Sequence, residues 1–264
     1  MHALRRSAAL VLAATLPLAA ACAPAARSAT AQARASQAPT APALATAAGI
    51  AAAQRFARTR AGTVGFAVLE EGGRPRGLNR TVRFPSASVS KAMLMVAALR
   101  RAAARRLSPR DDALLRAMVT ASDNDAADRV YRSLGGAAVT AVARAAGSRR
   151  FAEMGHWSNE QLTPADQARL FLRIDELVPP PHRAYARLLL SSIVGPQRWG
   201  IAPVAHRRGL QIFFKGGWRR GVVHQVALLE AHGRRLALAI LTSGQPSHDY
   251  GRATLRGIAV RVLG

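Results

Sequence analysis

Strand-like apolar runs occur in only two places in this sequence, before position 85 and after position 209, and helical periodicity fills the interval. Thr63–Leu69 (TVGFAVL) is short, apolar and rich in β-branched residues. The Glu70-Glu71-Gly72-Gly73 turn follows, and Leu78–Phe84 returns as the second strand of a hairpin. Three further runs come late: Leu210–Phe214, Val222–Glu230 and Arg235–Thr242, with Gly233 in a turn. Two strands, a block of helices, three strands and a closing helix predict an α+β fold. Its antiparallel sheet of about five strands unites both ends of the chain.

The helical signals are explicit. A helix is predicted from Leu44 to Arg60, carrying Ile50 and Phe56, and an apolar one over Lys91–Arg106 with Met93, Leu94, Val96 and Leu99. Ser108-Pro109-Arg110-Asp111 is a helix start, with Ser as N-cap and Pro at the first helical position. Thr163-Pro164-Ala165-Asp166 repeats it before a helix to Leu177. Asp123–Leu134 and Ala137–Ala146 are helices stopped by Gly135-Gly136 and Gly147. Residues 148–162 have no period and read as a loop. After Pro179-Pro180-Pro181, His182–Ile193 is helical, and Tyr250–Val262 closes the chain. No internal repeat is present.

Half of the 264 residues are hydrophobic, enough for a substantial core, with alanine prominent and aromatics few. The net charge is +24, from 38 basic and 14 acidic residues. Such an excess attracts anionic polymers or lipid in a salt-sensitive way. It lacks a basic amphipathic stripe, aromatic interleaving and zinc-finger spacing, so nucleic acid is not an expected partner. Lys stands only at 91 and 215; every other basic residue is Arg.

Met1–Cys22 reads as an export signal. Arg5 and Arg6 precede the apolar stretch Ala8–Leu18, and small residues lead to Cys22. The stretch is too short for a permanent transmembrane helix. Cys22 is the only cysteine, which excludes an intramolecular disulfide. Its setting is similar to the lipobox of bacterial lipoproteins, although Leu18 lies four residues before it rather than three; cleavage as an ordinary signal is the alternative. Expected are a signal peptide over 1–21, a lipid-anchored Ala/Pro/Ser/Thr tether over 22–44, and a folded domain over 45–264. That domain would lie outside the cytoplasm, held to the membrane by the anchor, as a monomer. The scattered His residues and single Cys give no metal-ligand spacing, and no cofactor is expected.

Three short motifs carry chemistry. Ser88-Val89-Ser90-Lys91 opens a helix, and its i, i+3 spacing brings an amine beside a hydroxyl. A serine needs a base to become a nucleophile, and a lysine serves only when its pKa is lowered. Ser122-Asp123-Asn124 offers a proton-relaying hydroxyl and an amide for a substrate carbonyl, and equally a helix N-cap. Lys215-Gly216-Gly217 ends the run Leu210–Phe214. It offers positive charge and a close backbone approach, or a surface lysine before a turn.

Taken together and in this order, the motifs resemble the S-x-x-K, S-D-N and K-T-G set of class A β-lactamases and penicillin-binding proteins. The resemblance covers residues 45–264 and is closest in FPSASVSKAML (84–94) and LLRAMVTASDNDAADRVY (114–131). It implies a β-lactamase-like fold with an inserted helical block carrying the nucleophile. It also implies an acyl-enzyme reaction on a β-lactam or a peptidoglycan stem peptide. Ser88 would be the nucleophile, Lys91 its base or proton relay, and Ser122 the donor to the leaving nitrogen. Asn124 would hold the substrate amide and Lys215 its carboxylate. Gly217 would admit the substrate, and the N–H groups of Ser88 and Trp218 would bind the oxyanion.

The pattern is broken in three places. K-T-G has become K-G-G, with Arg219 or Arg220 as nearby replacement charges. Ser88 and Ser122 are only 34 positions apart, which implies a trimmed cleft wall. No E-x-x-L-N glutamate occurs; the loop SRRFAEMGHWSNEQL (148–162) offers Glu153 and Glu160, with His156 and Trp157 as possible lining residues. These departures leave open a D,D-peptidase or esterase with slow deacylation, and a wall-associated lipoprotein that binds without turnover.

Overall fold

The computed structural model describes residues 43–264; the segment expected to be an export signal, Cys22 and most of the expected tether lie outside the described residues. Helix α1 (Ala47–Arg58) is capped by Thr46, whose side chain accepts the Gly49 N–H. It is followed by strands β1 (Thr63–Glu70), β2 (Arg76–Leu78) and β3 (Phe84–Pro85). Helices α2 (Lys91–Ala102), α3 (Pro109–Thr120), α4 (Asn124–Leu134) and α5 (Gly136–Ala145) come next, then β4 (Gln161–Leu162), α6 (Pro164–Leu172), α7 (Ile174–Leu177), α8 (Arg183–Ser191) and α9 (Ile201–Arg207). Strands β5 (Gln211–Arg219), β6 (Val222–Ala231) and β7 (Arg234–Ser243) precede the last helix, α10 (His248–Leu263).

The main sheet is antiparallel, in the order β2-β1-β7-β6-β5, so the first strands pair with the last as their distribution required. Its central strands are buried almost throughout, and α1 and α10 pack together beside it. Gly49 permits that contact, because a methyl group there would meet the Arg261 carbonyl oxygen of α10 at 2.4 Å.

Several elements differ from expectation. The hairpin partner of β1 is Arg76–Leu78 rather than Leu78–Phe84, because Asn79 turns away at φ 47°. Phe84–Pro85 instead pairs with Gln161–Leu162, so residues 148–162 end in a strand that joins the segment before Ser88. Helix α2 stops at Ala102, where Ala103 adopts φ 53°. The helix after Thr163 breaks at Arg173 into α6 and α7, and helix α9 lies where none was expected, with Pro203 inside its first turn. Strand β5 runs through Lys215-Gly216-Gly217 to Arg219, so the third motif lies within a strand rather than before a turn.

Alanine is a better helix former than glycine by about 1 kcal/mol. The contact at Gly49 is with backbone, which cannot swing aside, so overpacking decides the sign. Gly49→Ala is expected to destabilise the fold by about 1–3 kcal/mol in denaturant unfolding.

Candidate active site

The first two motifs meet around one amine. Lys91 is fully buried at the start of α2, and its Nζ donates to the Ser122 carbonyl oxygen at 2.6 Å and to Asn124 Oδ1 at 2.7 Å. Ser122 Oγ lies 3.4 Å away. The third motif reaches the same hydroxyl from the sheet: Lys215, also fully buried, donates to Ser122 Oγ and to the Gly216 carbonyl, each at 3.0 Å. Ser122 therefore sits between the chain's two lysines, at φ 60°, a strained conformation for a residue with a side chain. Asp123 beside it caps α4 by accepting the Ala126 N–H at 2.7 Å, so one triplet serves as helix cap and as part of the cluster.

Neither amine has a carboxylate partner within ion-pair distance among the described residues. Burial lowers the Lys91 pKa to about 8, against the pull of Asp123 and Asp128, which favour its charge. The Trp157 ring covers it, with its centroid 4.5 Å from Nζ. Lys215 is held well below the ordinary lysine value, chiefly by complete burial and then by the neighbouring Lys91.

Ser88 lies in the 3-10 turn Ala87–Ser90, preceded by Ala87 at φ 45°. Loop 148–162 fixes that turn. Ser86 N–H donates to the Glu160 carbonyl at 2.8 Å, Ala87 N–H to the Ser158 carbonyl at 3.0 Å, and Ser86 Oγ to the Trp157 carbonyl at 2.7 Å. From the sheet, His224 Nε2 donates to the Pro85 carbonyl at 2.7 Å while its Nδ1 accepts the Thr242 N–H. Burial keeps this ring neutral, with a pKa near 4. On the other side β5, at the sheet edge, runs beside the turn. A methyl group on Gly217 would stand 2.7 Å from the Ser88 backbone nitrogen, so only glycine allows this approach.

These elements enclose a cleft of about 290 Å³, lined by Ser88, Asn124, Trp218 and Arg219 together with Asp128, His156, Trp157 and Ser158. Trp218 is partly exposed, stacked on His248 and edge-on to Trp199. Arg219 donates to Asn159 Oδ1 at 2.9 Å, linking β5 to the loop.

The profile of the beta-lactamase enzyme family matches residues 112–264, more than half of the chain. The chain belongs to that family. No curated protein matches the sequence. Among solved structures, a β-lactamase from Sphaerobacter thermophilus is similar at 23% identity and a TM-score of 0.69, over 81% of this chain and 95% of that one. A variant of the last common ancestor of Gram-negative class A β-lactamases is similar at 22% identity and a TM-score of 0.69, over 81% and 97%. A protein named PBP-A is similar at 18% identity and a TM-score of 0.69, over 81% and 93%. At these identities the likeness is one of fold: a β-lactamase-like sheet with its helical block.

Of the residues of the three motifs, Ser88 and Asn124 line the cleft, as Trp218 does; Gly217 passes against the Ser88 backbone and Ser122 contacts both lysines. The lysines stand beneath, joined through Ser122 and Asn124. The two loop glutamates do not line it. Glu153 accepts the Tyr131 hydroxyl and the Gly155 N–H. Glu160 is completely buried with neither carboxyl oxygen hydrogen-bonded among the described residues, and burial, then Glu153, pushes its pKa up to about 8. Asp128 and Ser158 are cleft residues that the sequence reading passed over. Asp128 was accessible in principle, standing four residues after Asn124 on the same helical face.

Glu160 gives the fold a pH signature. Its ordinary value is 4.5, so between about 4.5 and about 8 the unfolded chain has released a proton that the fold retains. Stability contributed by this group is therefore lost as pH rises through that window. Glu160→Gln is expected to raise the melting temperature relative to wild type at pH 8 and to leave it unchanged at pH 4.

Proposed function

We propose that this family member is an active-site-serine hydrolase that forms an acyl-enzyme at Ser88 with β-lactams or related amides. The observation that carries the reading is the pair of buried amines joined through the Ser122 hydroxyl beneath a cleft that Ser88 lines. A neutral lysine has two N–H bonds and one lone pair. In Lys91 the two N–H bonds satisfy the Ser122 carbonyl and Asn124 Oδ1, which leaves the lone pair to accept the Ser88 proton. Ser122 then donates to the leaving nitrogen and is reprotonated from the lysine cluster. The Ser88 and Trp218 backbone N–H groups stabilise the oxyanion beside the Gly217 contact.

Lys215 has a second role in this scheme. A lone ammonium is disfavoured in its fully buried position, and a substrate carboxylate arriving beside it supplies the missing counter-charge. Arg219 adds charge at the cleft mouth. A penicillin-binding protein whose adduct persists is the second reading, favoured by the position of Glu153 and Glu160 outside the cleft. We also propose, from the sequence of Met1–Cys22, that the domain is exported and held to the membrane through Cys22.

Intact mass after incubation with a penicillin tests the reading. The wild-type chain is expected to gain the mass of the ring-opened drug, and Ser88→Ala to gain none; an adduct on Ser88→Ala would sink the mechanism. Because Lys91 must be neutral to accept a proton and its pKa is about 8, adduct formation is expected to accelerate with rising pH and level off above about 8.

A further inference from the structure

Asp128, His156 and Ser158 form a second polar chain on the wall of the same cleft, and the acylation scheme does not use it. The Ser158 backbone N–H lies 3.3 Å from His156 Nδ1, which must therefore carry a lone pair. Ser158 Oγ stands 2.9 Å from the same nitrogen and can donate to it. The proton of the neutral ring is then on Nε2, 3.3 Å from Asp128 Oδ1. That carboxylate oxygen is itself fixed by the Trp157 indole N–H at 2.7 Å. A hydroxyl on the lone-pair side of an imidazole and a carboxylate on its N–H side make a proton acceptor held in the required tautomer. Ser158 is also tied to the nucleophile's turn, since its carbonyl accepts the Ala87 N–H. Unlike buried Glu160, the His156 and Asp128 side chains are 44% and 42% exposed, so water reaches them.

We infer that Asp128, His156 and Ser158 activate the water that releases the acyl group from Ser88. The inference rests on the acyl-enzyme reading above. A water held at Ser158 Oγ attacks the ester carbonyl carbon, and its oxygen forms the new bond to that carbon. The water's proton passes to Ser158 Oγ as the Ser158 proton passes to His156 Nδ1, and Asp128 steadies the imidazolium. The bond from the carbonyl carbon to Ser88 Oγ then breaks, Ser88 Oγ recovers a proton from His156 along the same path, and the acid product leaves. Only water is consumed.

The full domain with penicillin G, followed by intact mass over time, separates the steps. The wild-type adduct is expected to form and decay. In His156→Gln and Ser158→Ala it is expected to form at the wild-type rate and decay about 100-fold more slowly, and added imidazole is expected to restore decay in His156→Gly. Unchanged formation distinguishes a lost proton acceptor from a disturbed Trp157–Lys91 contact. Absence of any adduct in the wild-type chain would overturn the acyl-enzyme reading and this inference with it. Undiminished decay in the variants or equal slowing of both steps would overturn this inference alone, and an adduct on Ser158 in place of Ser88 would overturn both.

Discussion

Two amines buried on either side of one hydroxyl, with no carboxylate paired to either among the described residues, set the terms for the rest of the site. An isolated ammonium is costly in a protein interior, and the structure answers that cost by lowering the affinity of both lysines for a proton. Arginine does not offer this answer, because its guanidinium stays charged under any ordinary condition. A chain that uses Arg at every other basic position keeps Lys at two fully buried places, where a charge that can be removed is the less costly one. The polar atoms around them are arranged accordingly: a carbonyl and an amide oxygen take the Lys91 N–H groups, and the Ser122 hydroxyl bridges to Lys215.

The scaffold's contribution is to bring three distant segments to that point. Helix α2 supplies Lys91, the turn before α4 supplies Ser122 and the first residue of α4 supplies Asn124, and edge strand β5 supplies Lys215 and the close pass of Gly217 against Ser88. Loop 148–162 completes the enclosure, with Asp166 at the start of α6 gripping the loop's Arg149 and Arg150 amides, and with Trp157 covering the Lys91 amine. Desolvation of Lys91 thus depends on a loop that is anchored at both ends, not only on the helix that carries it.

Much of this was legible from the residues. The separation of strand-like runs to the two ends of the domain specified an antiparallel sheet closed by β1 and β7, and the S-x-x-K, S-D-N and K-x-G spacing selected residues that gather at one cleft. What escaped had local physical causes. Asn79 and Ala103 take left-handed conformations that end a strand and a helix where periodicity continues, and helix α9 begins around a proline that reads as a breaker. Loop 148–162 has no period at all, so its hydrogen bonds to Ser86 and Ala87, and the Asp128–His156–Ser158 chain it helps build, exist only in three dimensions.

In the proposed mechanism burial turns a lysine into a base, and a chain with only two lysines makes that step directly measurable. Lysine-selective isotope labelling of the folded domain leaves only two side-chain signals to assign by nuclear magnetic resonance, from Lys91 and Lys215. The Lys91 signal is expected to titrate with a midpoint near pH 8, and Lys215 to lose its proton below the ordinary lysine range. Two signals that both titrate at the ordinary value near 10.5 would contradict that mechanism.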